Sequence, residues 1–356
     1  MRLARLIASL PATVPFVAPE ALERASGHPF ELRLGANESP FGPSPSAATA
    51  MAGAARDPSW YGDPESWTLR EALSARHRRP ANEIAVGSGI DDLLGLLVRA
   101  VIDPGDVAVA SEGSYPTFAY HVAGFGGRME RVPYFGFAND LDALLDTARL
   151  HDAKVVYLAN PDNPTGAWLS FDEIERFARR LPGGCLLVLD EAYAEFCPEA
   201  LPNPPPDRCV RLRTFSKAYG MAGARIGFAM GPRWLIGALD RIRNHFGVNR
   251  IAQAGALASL GDDAHLQTVV AEVVRGRAET ADVGESLGLR ALPSGTNFIA
   301  LLAGDAGQSA SLVEALAERY VFVRRPGVPP LDAIVRVTIG TPPQRSRFAA
   351  VLGECV

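Results

Sequence analysis

Short runs of β-branched and aliphatic residues alternate with segments of helical periodicity from about residue 83 onward, and this alternation constrains the fold most strongly. The runs cover residues 84–86, 107–109, 155–158, 186–189, 210–212 and 226–228. Strands that alternate with helices predict βαβ units and a mostly parallel sheet. The run that ends at residue 189 is apolar at every position, which is typical of a central strand covered on both faces.

The pattern changes near residue 245, where longer helical segments (251–260 and 266–287) precede two short strands (298–301 and 335–339). A length of 356 residues fits about two domains. We therefore predict a large α/β domain over 40–245 and a smaller α+β domain over 246–356. Residues 1–39 are predicted to form an arm that completes the small domain.

Charge and hydropathy exclude several classes of protein. The chain has 35 Lys and Arg against 40 Asp and Glu, and it has no basic run suited to a nucleic-acid backbone or an anionic membrane. No apolar stretch reaches the roughly 20 residues of a membrane helix, and Pro11 and Pro15 interrupt the short N-terminal one, which disfavours a secretory signal. Four cysteines without a C-x-x-C pair predict a reducing, cytoplasmic setting, no disulfide framework and no metal site.

The chain contains only two lysines, Lys154 and Lys217, so covalent chemistry that needs a lysine has two candidates. Lys217 follows a predicted strand, and a buried or cation-flanked lysine at such a strand end readily loses its proton and forms Schiff bases. Ser216 and Arg225 flank it with a hydroxyl and a guanidinium that suit a phosphate group. An exposed lysine in a turn is the alternative interpretation.

Other polar residues also follow predicted strands. The glycine-rich turn at 87–92 runs into a helix whose free N–H groups favour a phosphate, although such a turn is also common at an ordinary helix start. Asp190 ends a buried strand and therefore needs a cationic partner, unless it caps a helix. Asn163 and Tyr193 follow neighbouring strands. In parallel sheets, ligands bind at the edge formed by the carboxyl ends of the strands. The absence of G-x-G-x-x-G disfavours a nicotinamide-dependent dehydrogenase.

Four motifs in order resemble those of the class I/II pyridoxal-phosphate aminotransferases. They are Asn-Pro-Asp-Asn-Pro-Thr-Gly at 160–166, Asp-Glu-Ala-Tyr at 190–193, Ser-Lys-Ala-Tyr-Gly at 216–220 and Ala-Gly-Ala-Arg at 222–225. Within this family the segments at 35–40, 61–64, 190–196, 293–298 and 336–341 are most similar to the histidinol-phosphate branch. The resemblance runs from about residue 30 to the end of the chain. It implies fold type I of the pyridoxal enzymes, with a large doubly wound domain, a small domain and a homodimer with shared active sites.

The same resemblance implies roles for individual residues. Lys217 corresponds to the lysine that forms a Schiff base with pyridoxal phosphate and later moves a proton, and Asp190 to the partner of the pyridine nitrogen. Tyr193 and Asn163 correspond to the residues that hydrogen-bond the ring hydroxyl. The phosphate contacts correspond to Gly89, Ile90, Asp91, Ser216, Arg225 and the partner subunit's Tyr61, and the ring-stacking aromatic residue to Phe118.

Arg336 lies between apolar neighbours in a predicted strand, where a guanidinium should meet an anion. The resemblance implies that Arg336 and Arg324 grip the substrate phosphate and that Asn37 binds substrate, whereas Arg325 suits a structural ion pair. Two positions depart from the histidinol-phosphate pattern: Phe16 stands near where a tyrosine is expected, and glycine replaces an asparagine in the segment 246–249.

We therefore predict an aminotransferase of histidine biosynthesis that uses histidinol phosphate and 2-oxoglutarate. The departures keep an aromatic amino acid open as the donor. A phosphate-ester amino-acid decarboxylase of the same fold and a non-catalytic cofactor-binding sensor are further alternatives, although the chain has no extra DNA-binding segment that a sensor would use.

Overall fold

The computed structural model describes residues 3–11, 18–199 and 208–356. In these ranges the chain forms thirteen α-helices. In chain order they are α1 (Arg5–Ser9), α2 (Pro19–Ser26), α3 (Pro45–Ala54), α4 (Trp67–His77), α5 (Ile90–Val101), α6 (Pro116–Gly124), α7 (Leu141–Leu150), α8 (Phe171–Arg180), α9 (Arg233–Ile242), α10 (Arg250–Leu260), α11 (Asp263–Ser286), α12 (Ala306–Glu318) and α13 (Pro342–Cys355).

Twelve β-strands accompany these helices in the same ranges. They are β1 (Leu32–Arg33), β2 (Ile84–Gly87), β3 (Val107–Ser111), β4 (Arg128–Val132), β5 (Val155–Ala159), β6 (Leu186–Asp190), β7 (Cys209–Thr214), β8 (Gly227–Met230), β9 (Arg290–Ala291), β10 (Phe298–Leu302), β11 (Val321–Phe322) and β12 (Ile334–Thr338). Seven of them form one sheet in the order β2-β8-β7-β6-β5-β3-β4.

The large sheet is buried on both faces, which explains its almost continuous apolar strands. Val156 and Leu158 of β5 pack with α7 and α8 on one face, while Val155 and Tyr157 pack with α5, α6 and α9 on the other. The predicted mostly parallel sheet is thus confirmed: β3–β4, β3–β5, β5–β6 and β6–β7 all pair in parallel.

Strand β8 is the exception, because it runs antiparallel to both β7 and β2. The connection from β7 to β8 contains only a short 3-10 turn over Ala222–Ala224, so it offers no helix to carry the chain back for a parallel crossover. As a result, the start of β8 lies at the same edge of the sheet as the end of β7.

A second core lies between α11, α12, α13 and the antiparallel sheet β12-β10-β9. Leu32 and Leu34 join this core, and β1 pairs in parallel with β11 through Leu32 and Val321. The predicted domain division stays a prediction. Ala252 and Ala256 of α10 pack in one cluster with strands β2 and β8, which favours a boundary after Leu260 rather than at residue 245.

No helix in the described ranges combines the length and apolar character that a membrane span needs. The same ranges contain no grouping of His, Cys, Asp and Glu that could hold a metal ion.

Candidate functional site

Five connections of the large sheet meet at one edge and surround a cavity of about 640 Å³. They follow β2, β3, β5 and β6 and join β7 to β8, because these strands present their carboxyl ends, or for β8 its start, to this edge. Residues of the N-terminal segment and of the β11 and β12 region close the other side of the cavity. The cavity thus lies where ligands bind in doubly wound sheets.

Lys217 points into this cavity from the turn after β7. Its Nζ donates a hydrogen bond of 2.9 Å to the Asn37 carbonyl and lies 5.6 Å from the centre of the Tyr193 ring. Burial, aided by the nearby guanidinium of Arg336, lowers the pKa of Lys217 to about 8. A pKa of about 8 leaves roughly a tenth of this amine neutral, and hence nucleophilic, at pH 7.

Asp190 ends β6 and is almost completely buried at the floor of the cavity. Its carboxylate accepts hydrogen bonds from the Tyr157 hydroxyl at 2.7 Å and the Ala192 amide at 3.0 Å, and neither donor is a cation. Burial raises the pKa of Asp190 to about 6, with the Tyr157 hydrogen bond acting in the opposite direction. A cationic N–H group in the cavity would stabilise the ionised form of this carboxyl.

Asn37 joins the two halves of the site. Its backbone has a φ of 54°, and its side-chain amide donates a hydrogen bond of 2.8 Å to the Tyr193 hydroxyl. The Thr338 hydroxyl of β12 accepts a hydrogen bond of 3.0 Å from the backbone N–H of Asn37 and donates one of 3.1 Å to the side-chain oxygen of Asn37. Asn297 donates to the Asn37 carbonyl at 3.1 Å. These bonds hold the carbonyl that Lys217 contacts.

Arg336 enters the cavity from β12. Its guanidinium donates to the Asn163 side-chain oxygen and, at 3.0 Å, to the Gly35 carbonyl, and it lies 5.3 Å from the centre of the Phe298 ring. Burial lowers the pKa of Arg336 to about 10, and Arg324 acts in the same direction. Its Nε is buried without a hydrogen-bond partner among the described residues. A buried donor of this kind indicates a place for an anion.

Arg324 and Arg325 also line the cavity but differ in their contacts. Arg324 packs its guanidinium 5.3 Å from the centre of the Phe322 ring, and burial lowers its pKa. Arg325 donates to Ser309 Oγ and to the carbonyls of Asp332 and Ala306 at 2.9 to 3.0 Å. Arg325 thus fastens its loop to α12 through neutral acceptors rather than through the ion pair that we predicted.

The predicted phosphate-binding residues gather at the start of α5. Gly89 has a φ of 90°, and a Cβ there would lie 2.6 Å from an Arg225 nitrogen, so glycine leaves room for that guanidinium. Arg225 lies 3.6 Å from the Asp91 carboxylate, and α5 has no side-chain cap at its start. Ser216 and Ile90 line the same cavity. This end of the cavity offers a guanidinium, a hydroxyl and helix N–H groups.

Two predicted aromatic residues lie away from the cavity. Phe118 is 1% exposed and stacks on Tyr157 at 4.9 Å between ring centres, so it belongs to the core beneath the site. Tyr115 of the same segment lines the cavity instead and donates a hydrogen bond of 2.7 Å to Asp91. Tyr61 is 75% exposed and packs against Phe246.

The structure describes only one of the two positions that depart from the histidinol-phosphate pattern, Phe16 and Gly247. Phe16 lies outside the described residues. Gly247 uses its carbonyl oxygen to accept a hydrogen bond of 2.6 Å from Ser88 Oγ, in the turn before α5. Its backbone thus holds the turn that carries Gly89.

Sequence reasoning missed Tyr157, Tyr115, Asn297 and Thr338. Tyr157 is the one polar side chain in an otherwise apolar strand, and this signal could have marked it. Asn297 and Thr338 act through contacts that join distant parts of the chain, which no local pattern reveals.

Residues 31–352 match the family model for aminotransferase class I and II. The chain is 37% identical to histidinol-phosphate aminotransferase 1 of Nitrosococcus oceani over 345 residues, which are 94% of this chain and 91% of that protein. It is 34% identical to histidinol-phosphate aminotransferase 2 of Carboxydothermus hydrogenoformans, covering 97% and 96% of the two chains. The crystal structure of histidinol-phosphate aminotransferase from Sinorhizobium meliloti in complex with pyridoxal 5'-phosphate superposes with a TM-score of 0.96 at 44% identity, covering 99% and 97%.

Proposed function

The chain belongs to the class I and II aminotransferases, and we propose that it transfers the amino group of histidinol phosphate to 2-oxoglutarate with pyridoxal phosphate as cofactor. The observation that carries this proposal is the arrangement of Lys217, Asp190 and the arginines 324 and 336 around one cavity.

The residues present fit this cofactor. Within the described ranges no cationic group donates a hydrogen bond to the buried Asp190 carboxylate, as expected for the partner of a protonated pyridine nitrogen. Ser216, Arg225 and the start of α5 suit its phosphate. Tyr115 supplies the aromatic wall in place of Phe118. A volume of about 640 Å³ lies within the range of small-molecule sites.

Pyridoxal phosphate, when bound, supplies an electron sink for the bond that breaks at the substrate Cα. The protein's own residues do the rest. Lys217 Nζ would hold the cofactor by condensing with its aldehyde with loss of water, and once the substrate amine displaces it, the freed amine would accept and return the Cα proton. Asp190 holds a proton at the ring nitrogen, and Tyr157 fixes the orientation of its carboxylate.

Arg336, Arg324 and Asn37 form the substrate end of the site. Arg336 binds the substrate's anionic group, and Asn163 orients both this guanidinium and the ring hydroxyl of the cofactor. The Tyr193 hydroxyl also faces that ring hydroxyl, while the amide of Asn37 fixes its position. Burial raises the pKa of Tyr193 to about 12, so it stays a neutral hydrogen-bond donor.

Assembly and location are part of the same proposal. Tyr61 is exposed beside Phe246, which is typical of a residue that a second copy covers, and in a homodimer the partner subunit's Tyr61 contacts the cofactor phosphate. Sedimentation of the purified protein tests the dimer.

Four free thiols support a cytoplasmic location, which cell fractionation tests.

The experiment that tests the function mixes the cofactor-loaded protein separately with histidinol phosphate, phenylalanine, tyrosine and glutamate and follows the loss of its yellow absorbance. We expect fast conversion with histidinol phosphate and glutamate and slow conversion with the aromatic amino acids. Fast conversion with the aromatic amino acids but not with histidinol phosphate would identify an aromatic aminotransferase. Carbon dioxide released from an O-phosphorylated α-amino acid such as phosphothreonine, offered as a fifth compound, with the yellow absorbance retained, would identify a decarboxylase.

A further inference from the structure

The cavity of the proposed active site contains a carboxylate that the mechanism above does not use. Among the described residues, three acidic side chains line it: Glu38, Asp91 and Asp190. Asp91 accepts a hydrogen bond from Tyr115 and faces Arg225, while Asp190 accepts from Tyr157. The Glu38 side chain has no hydrogen bond or ion pair within the described part of the chain.

The backbone that carries Glu38 is held firmly although its side chain is exposed. Gly35 accepts from Arg336, and Asn37 accepts from Lys217. Asn297 donates to the carbonyls of both Asn37 and Glu38, at 3.1 and 3.4 Å. The backbone of Glu38 is thus fixed next to the reactive lysine. The negative charge of Glu38 raises the pKa of Lys217, in opposition to the effect of burial.

The substrate end of the cavity therefore carries both positive and negative charge. Arg324 and Arg336 present cations for an anionic group, and Lys217 lies where the amino group reacts. Glu38 adds an acceptor that suits an N–H donor or a cation. A substrate that carries an anionic group, an amine and a ring with an N–H group can contact the arginines, Lys217 and Glu38 at the same time.

We propose that Glu38 selects the amino donor by accepting a hydrogen bond from the ring N–H of its imidazole. This inference rests on the proposed function. A phenyl ring in the same place would cover the carboxylate without replacing its hydration, which costs free energy. An imidazole replaces that hydration with a charge-assisted hydrogen bond, most strongly when the ring is protonated. Glutamate has no ring and leaves Glu38 hydrated.

The test compares Glu38→Gln with the wild-type holoenzyme in single half-reactions with histidinol phosphate and with glutamate. We expect the ratio of the two kcat/KM values, histidinol phosphate over glutamate, to fall at least about tenfold, as for the loss of one hydrogen bond to a charged group. We expect Glu38→Gln to raise the KM for histidinol phosphate and to leave the limiting rate nearly unchanged. Glu38→Asp, which keeps the charge, should recover part of the ratio. Glu314→Gln, an exposed change on α12, is the matched control and should leave the ratio unchanged.

Three results would overturn the inference: an unchanged ratio in Glu38→Gln, an equal loss with both donors, or a loss confined to the limiting rate. An equal loss would mean that Glu38 acts only through the charge of Lys217. A wild-type protein that does not convert histidinol phosphate would instead contradict the proposed function itself, and the inference with it.

Discussion

Arg324 and Arg336 form a two-way backbone bridge, in which Arg324 N donates to the Arg336 carbonyl at 3.2 Å and Arg336 N donates to the Arg324 carbonyl at 2.7 Å. Side chains opposite each other in such a pair lie on the same face. Two guanidiniums therefore stand side by side at one cavity, and the charge of Arg324 lowers the pKa of Arg336. An anion bound between them relieves this repulsion.

The first prediction concerns this pair. Replacing Arg336 by Ala should lower kcat/KM for histidinol phosphate by about 100-fold or more, because a buried charged contact is lost. Arg336→Lys should not restore it, since an ammonium group cannot make the paired contacts of a guanidinium. Stopped-flow half-reactions measure both variants. Arg319→Met, a change at an exposed ion pair outside the cavity lining, serves as the control. Wild-type activity in Arg336→Ala would contradict the assignment.

The second prediction uses the raised pKa of Asp190. A carboxyl whose pKa is raised from 3.8 to about 6 binds its proton more tightly in the folded state than in the unfolded state. The cofactor-free protein should therefore lose stability as pH rises from about 4 to 6, by at most roughly 3 kcal/mol. Asp190→Asn should remove this part of the pH dependence and weaken cofactor binding at least tenfold.

Thermal unfolding of the cofactor-free proteins across pH 4 to 7 measures the first effect, and cofactor titration measures the second. Identical pH profiles for wild type and Asp190→Asn would show that Asp190 titrates normally. Unchanged cofactor affinity would show that its carboxylate does not face the ring nitrogen.

The third prediction concerns the amine of Lys217. Its pKa of about 8 means that the reactive neutral form increases as pH rises through 8. The rate at which the cofactor-free protein becomes yellow on mixing with pyridoxal phosphate should thus rise with pH and reach half its limit near pH 8. Arg336→Met should move this midpoint upward, because Arg336 is a cation that opposes protonation of the amine. A midpoint near 10.5 in the wild type would contradict the prediction.

The fourth prediction concerns Asp162, which is buried in the turn that carries Asn163. Its carboxylate accepts hydrogen bonds from Tyr134 at 3.0 Å, Asn139 at 3.2 Å and Thr165 Oγ1 at 2.8 Å. Asp162→Ala leaves these buried donors without an acceptor, so the free energy of unfolding should fall by about 2 to 4 kcal/mol.

Urea denaturation of the cofactor-free protein measures this loss, and Asp282→Asn on the exposed side of α11 provides the control. A change below about 0.5 kcal/mol in Asp162→Ala would mean that the turn is held by other contacts.

Much of the fold could be predicted because its signals are local. Strands such as β5 and β6 are continuous apolar runs bounded by polar residues, and the lysine scarcity isolates Lys217 without any structural knowledge. Strand β4 was missed because its sequence, Arg-Met-Glu-Arg-Val, is that of a half-exposed edge strand rather than an apolar run.

The parts of the site that could not be predicted depend on how the helices and strands pack in three dimensions. Phe118 and Tyr115 are three residues apart, and only the packing of α6 decides which of them reaches the cavity. The link between Asn37 and Thr338 joins residues 301 positions apart and follows from the docking of the N-terminal segment on β12. The predicted role of the partner subunit's Tyr61 depends on an assembly that a single chain does not contain.

One measurement identifies directly the lysine that carries the cofactor. Because Lys154 is exposed and Lys217 is the lysine in the cavity, borohydride reduction of the yellow protein followed by peptide mass spectrometry distinguishes the two. We expect the reduced cofactor on the peptide that contains Lys217, and we expect it to be lost in Lys217→Ala but not in Lys154→Ala. A stoichiometric adduct on Lys154, or a yellow band that survives in Lys217→Ala, would contradict it.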